Sequence, residues 1–117
     1  MRALPFALAL LLCGPAMAGE PVVVAARAVP DGATWNFDVT VAHADAGWGH
    51  YADGWEVAAP DGTRLGFREL LHPHEAEQPF TRSLPGVAIP PGVTRVLIRA
   101  RDNVHGWGAP FALDLPP

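Results

Sequence analysis

The sequence predicts an all-β fold, a seven-stranded antiparallel β-sandwich that is immunoglobulin-like or fibronectin type III-like and follows a cleaved signal peptide. Gly and Pro, 12 and 13 in the chain, fall at intervals and bound short runs rich in Val, Thr and aromatic residues. Several of these runs alternate apolar and polar residues, the period of a strand with one buried face. No long helical period interrupts this pattern after residue 18.

Residues 1–18 are typical of a secretory signal peptide. Arg2 is followed by an apolar run at 7–12 and by a small-x-small end at 16–18, which predicts cleavage before Gly19. The apolar run is too short to span a bilayer. The sequence therefore predicts two segments: this signal peptide, and a single domain that begins at Gly19 and ends at residue 117.

Lipidation at Cys13 is the alternative that the sequence disfavours, because Leu12 stands where lipid attachment needs a small residue. The lone cysteine and both methionines lie in the signal peptide, so residues 19–117 contain no sulfur, and disulfides and thiol catalysis are excluded there. The chain has no lysine, and the domain has one serine, Ser83, and one tyrosine, Tyr51. We therefore predict no catalytic residues and no enzyme.

The charge balance also limits the partners. Removal of Arg2 takes the formal net charge from −4 to −5, and the remaining arginines are scattered and form no basic stripe. This argues against binding to nucleic acid or to an anionic membrane surface. We expect a monomer that is periplasmic or secreted and is not inserted in a membrane after signal cleavage.

The first predicted strand covers 22–29 and ends at the Pro-Asp-Gly turn at 30–32. The second, at 33–43, shows the clearest alternation, and its buried face carries Trp35, Phe37, Val39 and Val41. The third and fourth, at 55–59 and 63–68, flank a second Pro-Asp-Gly turn and predict a hairpin, with Trp35 and Trp55 in the core.

A short fifth strand is predicted at 80–84. The sixth covers 94–102, with Val96, Ile98 and Ala100 facing inward, and the seventh covers 111–115. Because successive strands reverse direction, the loops at 44–54, 69–80 and 103–110 are expected at the same end of the sandwich. All five histidines fall in or beside these loops: His43, His50, His72, His74 and His105.

This clustering predicts a divalent transition-metal site built from imidazoles. Without sulfur ligands, Cu(II) or Zn(II) would be held by nitrogen and oxygen, and uptake should be lost near pH 5 as the imidazoles protonate. His72-Pro73-His74 is the most specific part of this pattern, because two residues at positions i and i+2 of an extended segment place both rings on the same side. The hypothesis requires three rings within about 5 Å of one point. The same loops supply carboxylates as extra ligands or hydrogen-bond acceptors: Asp45, Asp53, Glu69, Glu75, Glu77 and Asp102.

Two other interpretations remain open. In one, the histidines and tryptophans only hold the loops together through hydrogen bonds. In the other, the domain recognises an envelope protein or a glycan through Trp48 and Trp107, each flanked by glycines, together with Tyr51 and Arg82. Arg82 is also placed to pair with Glu75 or Glu77, and the tryptophans to fold back over the open end of the sandwich.

Several short runs carry a resemblance. They are His72-Pro73-His74, the segment at 78–84, Ile98-Arg99-Ala100 and His105-Gly106. In these runs the chain resembles small secreted bacterial proteins of unknown function with an immunoglobulin-like or fibronectin type III-like sandwich. The resemblance covers about the C-terminal half of the chain. It implies an exported stand-alone domain and no particular activity.

Overall fold

The computed structural model describes residues 19–117, so the predicted signal peptide, with Cys13, lies outside the described residues. The described residues form eight strands and no helix, and hence no helix long and apolar enough to cross a membrane. The strands are β1 (Val22–Asp31), β2 (Thr34–Ala42), β3 (Ala52–Ala58), β4 (Arg64–Glu69), β5 (Phe80–Val87), β6 (Arg95–Asp102), β7 (Gly106–Trp107) and β8 (Phe111–Asp114).

The strands form two sheets in which every pairing is antiparallel, so the prediction of an all-β antiparallel fold is confirmed. One sheet has the strand order β1-β2-β5. The other has the order β4-β3-β6-β7, and β8 also pairs with β6. One buried cluster draws on both sheets and includes Phe37, Val39 and Val41 from β2, Trp55 and Val57 from β3, and Val96 and Ile98 from β6.

The core follows the alternation that the sequence shows. Trp55 is fully buried, whereas Trp35, near the start of β2, is only partly buried and packs against the rim of the cluster. Gly66 in β4 lies against Leu84 and Val87 of β5, where a Cβ would be 2.9 Å from the Leu84 side chain. A side chain at this position would have to displace the Leu84 side chain, so glycine favours the close contact between the sheet edges.

The predicted number of seven strands is wrong by one among the described residues. The additional strand, β7, is only two residues long and lies within the predicted loop at 103–110. Gly106 has a φ of 80°, which turns the chain back so that Trp107 pairs with Arg101 of β6. A two-residue strand has no alternation to detect. The fifth strand also continues past its predicted end to Val87.

Pairing register brings separate parts of the chain to one end of the fold. Val22 at the start of β1 pairs with Ala42 at the end of β2, and Ala52 at the start of β3 pairs with Asp102 at the end of β6. We call this region the histidine end. It consists of residues 19–21 and of the connections 43–51, 70–79 and 103–105, and it contains all five histidines.

Candidate metal centre

Three imidazole nitrogens converge on one carboxylate oxygen at the histidine end. Asp102, the last residue of β6, places its Oδ2 atom 2.9 Å from Nε2 of His43, 3.2 Å from Nε2 of His50 and 3.0 Å from Nδ1 of His105. Nε2 of His50 and Nδ1 of His105 are themselves 3.2 Å apart. Three histidines from two different connections therefore surround a single oxygen atom.

The carboxylate of Asp102 is fully buried and is held in place by the turn that follows it. Its Oδ1 atom accepts hydrogen bonds from the backbone N–H groups of Val104 and His105. Burial raises the pKa of Asp102, but the hydrogen bonds from the backbone and side chain of His105, from Val104 and from His50 outweigh it, so the pKa lies well below its usual value. Asp102 therefore presents a negative charge to the three rings.

His43 comes directly after β2 and is buried together with Asp102. Its Nδ1 atom lies 2.5 Å from Oδ1 of Asp45, which also accepts a hydrogen bond from the backbone N–H of Ala52. A carboxylate on one imidazole nitrogen fixes the ring's orientation and leaves the other nitrogen free to bind a metal ion. In His43 that other nitrogen is Nε2, which faces Asp102.

The other two rings give the centre a solvent-facing side. The side chains of His50 and His105 are 28% and 40% exposed, against none for His43 and Asp102. The ring of His50 lies between the other two, with centroids 4.8 Å from His43 and 4.9 Å from His105. An ion would therefore reach the site from the His50 and His105 side and meet a buried carboxylate at its floor.

Four of the six donor separations are close to those in the ligand shell of a transition metal. In a tetrahedral site with metal–nitrogen bonds of about 2.0 to 2.1 Å, neighbouring ligand atoms are about 3.3 Å apart. The measured separations of 2.9 to 3.2 Å are close to this value. The donor atoms of His43, His50 and Asp102 all lie within 4.8 Å of one another.

The remaining two predicted ligands lie beyond Asp45, whose Oδ2 atom accepts a hydrogen bond from the backbone N–H of His74. His74 is buried, its ring stacks on Phe80 at 3.9 Å, and its Nε2 atom accepts a hydrogen bond of 2.9 Å from Arg82. Burial lowers the pKa of His74, and the neighbouring charges of Arg82 and His72 lower it further. The exposed ring of His72 lies 4.5 Å from that of His74. An arginine in contact with His74 disfavours a cation there.

The predicted recognition residues are also dispersed. Trp48 is 66% exposed, packs edge-on against Tyr51 and lines an open groove with His72 and Glu75. Trp107 instead lies half-buried in β7, where it contacts a row of guanidinium groups from Arg64, Arg99 and Arg101. Neither tryptophan closes the open end of the fold. Arg82 pairs with Glu77 at 3.1 Å, one of the two partners expected for it.

Two groups at the centre were not singled out by the sequence pattern. Asp102 appeared only as one of six loop carboxylates, although its position three residues before His105 is typical of an aspartate that caps a turn. Gly19 appeared only as the residue after the predicted cleavage site. Its carbonyl oxygen lies 3.2 Å from Nε2 of His43 and 3.3 Å from Nε2 of His50.

Comparison with known proteins gives one partial relative. A putative lipoprotein from Halomicrobium mukohataei is 49% identical to this chain over 72 residues, which is 62% of this chain and 35% of that protein. The chain thus spans about a third of the length of the curated relative that it matches. No protein-family model and no solved structure matches the chain.

Proposed function

We propose that this protein is an exported, non-enzymatic binding domain that holds one divalent transition-metal ion, Cu(II) or Zn(II), through His43, His50, His105 and Asp102. The observation that carries this proposal is the convergence of three imidazole nitrogens on the buried Oδ2 atom of Asp102. Nitrogen and carboxylate oxygen are ligands that suit both ions. His72 and His74 are left out of the ligand set because Arg82 contacts His74.

The proposal also includes a type of sandwich fold and a cellular location. The strand order, with the first, second and fifth strands in one sheet and the third, fourth, sixth and last in the other, supports a fibronectin type III-like sandwich. The putative lipoprotein relative supports an exported, envelope-associated protein. In this proposal a signal peptide at 1–18 directs export to the periplasm or the medium. Intact mass of the processed protein distinguishes a chain that begins at Gly19 from one that is lipidated at Cys13.

Metal titration of the processed protein tests the binding. Calorimetry at pH 7.5 should give one Cu(II) or Zn(II) per chain with a Kd well below about 100 μM, a level expected of an incidental surface site. Uptake should be lost in acid, because protons compete with the metal ion for the imidazole nitrogens. His50→Gln and His105→Gln should each weaken binding by about 10-fold or more. The matched control is His72→Gln, an exposed histidine with no contact to Asp102.

The titration also gives a clear negative result. If the unmodified protein takes up neither ion more tightly than about 100 μM, the metal proposal is wrong. If His72→Gln weakens binding as much as His105→Gln does, the ion is bound at a different place from the one proposed.

The exposure of Trp48 favours a second candidate function, recognition of a glycan or an envelope protein. Trp48 and the groove beside it offer an apolar ring next to polar groups, as carbohydrate and peptide sites often do. In a glycan-array screen, Trp48→Ala should abolish any binding seen with the unaltered domain. Leu71→Ala, which removes an exposed apolar side chain nearby in the histidine end, is the matched control. If Trp48→Ala binds the same glycans as the unaltered domain, the groove is not a glycan-binding site.

A further inference from the structure

The main chain of Gly19 lies inside the candidate metal centre. Its carbonyl oxygen is 3.2 Å from Nε2 of His43 and 3.3 Å from Nε2 of His50, the same two atoms that face Asp102. The position follows from the fold, because β1 begins at Val22, which pairs with Ala42, the residue before His43. The start of the described chain is therefore brought to the histidines by sheet pairing.

A side chain at this position would meet a histidine. A Cβ added to Gly19 would lie 2.9 Å from Cε1 of His105. The imidazole of His105 thus packs directly against the Gly19 backbone. Because glycine has no side chain, it allows the main chain to approach another group closely. Here that group is the set of three rings around Asp102.

The sequence independently predicts that signal peptidase cuts immediately before Gly19. Cleavage hydrolyses the Ala18–Gly19 amide and leaves a carboxylate on Ala18 and a free α-amino group on Gly19. The lone pair of a free amine is available to a metal ion, whereas the lone pair of an amide nitrogen is delocalised into its carbonyl group. The amine and the carbonyl oxygen of one glycine can close a five-membered chelate ring.

We propose that removal of residues 1–18 completes the metal centre, with the α-amino nitrogen and the carbonyl oxygen of Gly19 joining the histidines and Asp102 as ligands. This inference rests on the proposed metal-binding function. It makes tight binding a property of the processed chain alone. The precursor, in which the Gly19 nitrogen is an amide, binds more weakly, so the ion is acquired after export.

The absence of lysine makes a direct chemical test possible. In the processed protein the α-amine is the only primary amine, so an acetylating reagent modifies it selectively, and hydroxylamine then removes any acetyl group from Tyr51 or histidine. The precursor is exported and processed in cells, and intact mass and N-terminal sequencing identify the first residue. Cu(II) and Zn(II) affinities are then measured before and after acetylation, with circular dichroism and metal-free thermal unfolding to verify the fold.

Acetylation should weaken binding by about 10-fold or more, and bound metal should slow acetylation of the α-amine by a similar factor. Gly19→Ala should also weaken binding, because its Cβ meets His105. If the acetylated protein binds as tightly as the unmodified one, or if the processed chain begins elsewhere than at Gly19, this inference is overturned while the histidine site stands. If the unmodified protein binds neither ion, both proposals fail.

Discussion

Nε2 of His43 lies 2.9 Å from Oδ2 of Asp102, and neither side chain has any exposed surface. His43 follows β2 in one sheet, and Asp102 ends β6 in the other. This single contact therefore joins the two sheets at the histidine end. A substitution at either position is expected to affect both the candidate metal centre and the stability of the fold.

Replacement of Asp102 by asparagine should separate these two effects. The amide oxygen of Asp102→Asn can still accept the backbone N–H groups of Val104 and His105, which keeps the turn. The negative charge that faces the rings is lost. Changes to groups that only support a metal ligand cost about 10- to 100-fold in affinity, so loss of the ligand itself should cost about 100-fold or more. Calorimetric titration with Cu(II) or Zn(II) measures this loss.

Asp102→Ala is the companion variant. It also removes the acceptor for the turn and the carboxylate beside Nε2 of His43, so the free energy of unfolding should fall by about 1 to 3 kcal/mol. Urea unfolding in the presence of a chelator provides the value. A metal affinity for Asp102→Asn within a factor of two of the wild-type value would exclude Asp102 as a ligand.

Asp45→Asn should weaken metal binding indirectly. The variant replaces a carboxylate oxygen 2.5 Å from Nδ1 of His43, which orients the ring so that Nε2 faces Asp102. The expected loss of affinity is about 10- to 100-fold. Asp38→Asn is the matched control. It alters a carboxylate of β2 that accepts a hydrogen bond from Ser83, and it should leave the metal affinity unchanged. Equal effects of the two substitutions would point to net charge rather than to the orientation of His43.

His74 should make the metal-free domain less stable in mild acid. Because the pKa of His74 in the folded protein is lowered below 6.5, first by burial and then by Arg82 and His72, the unfolded chain binds the proton more tightly. Asp45 and Glu77 act in the opposite direction and are outweighed. This destabilisation is absent well above pH 6.5 and grows as the pH falls through 6.5 toward the lowered pKa.

Substitution of His74 should remove this dependence. His74→Gln is expected to lower stability at pH 7.5, since it loses the stacking on Phe80, but to flatten the fall in unfolding free energy between pH 7 and pH 5. His72→Gln, the exposed neighbour, should keep most of the slope. Urea unfolding at several pH values in chelator measures both. An unchanged slope in His74→Gln would show that this residue does not carry the pH dependence.

Substitution of Glu56 should change the stability of the fold without changing the metal centre. Its nearly buried carboxylate accepts hydrogen bonds from Arg64 at 2.9 Å and from Arg99 at 2.6 Å, in the middle of β3. Glu56→Gln should lower the free energy of unfolding by about 1 to 3 kcal/mol, because the charge-assisted bonds are weakened. Metal affinity should stay within a factor of two. The exposed Glu69→Gln should change neither quantity, and a large loss of metal affinity in Glu56→Gln would contradict the proposed location of the site.

The strands were predictable where alternation is long. The buried face of β2 and the inward residues of β6 follow directly from it, and the end of β6 at Asp102 was also predicted. The meeting of His43 with Asp102 was not, because the two residues are 59 positions apart and their contact depends on how the sheets pack. An alternating pattern predicts which face of a strand is buried, but it does not predict how the two sheets pack against each other.

The sequence also does not predict which histidines surround Asp102 and which contact other residues. His72 and His74 have the most suggestive local spacing, yet His74 faces Phe80 and Arg82, side chains of β5 whose direction depends on the register of that strand. The role of Gly19 is non-local for the same reason. Its position depends on the pairing of Val22 with Ala42, which no residue near Gly19 reveals.

The candidate ligands at positions 43 and 102 lie at the ends of strands from different sheets, in a chain with no cysteine after residue 18. An ion held between them would act as a reversible cross-link, with the mechanical role that a disulfide has in exported domains. A covalent bridge over a loop of this length contributes about 4 kcal/mol by constraining the unfolded chain. A metal bridge can be withdrawn by a chelator or by acid, so the lifetime of the folded domain would follow the metal supply of its compartment.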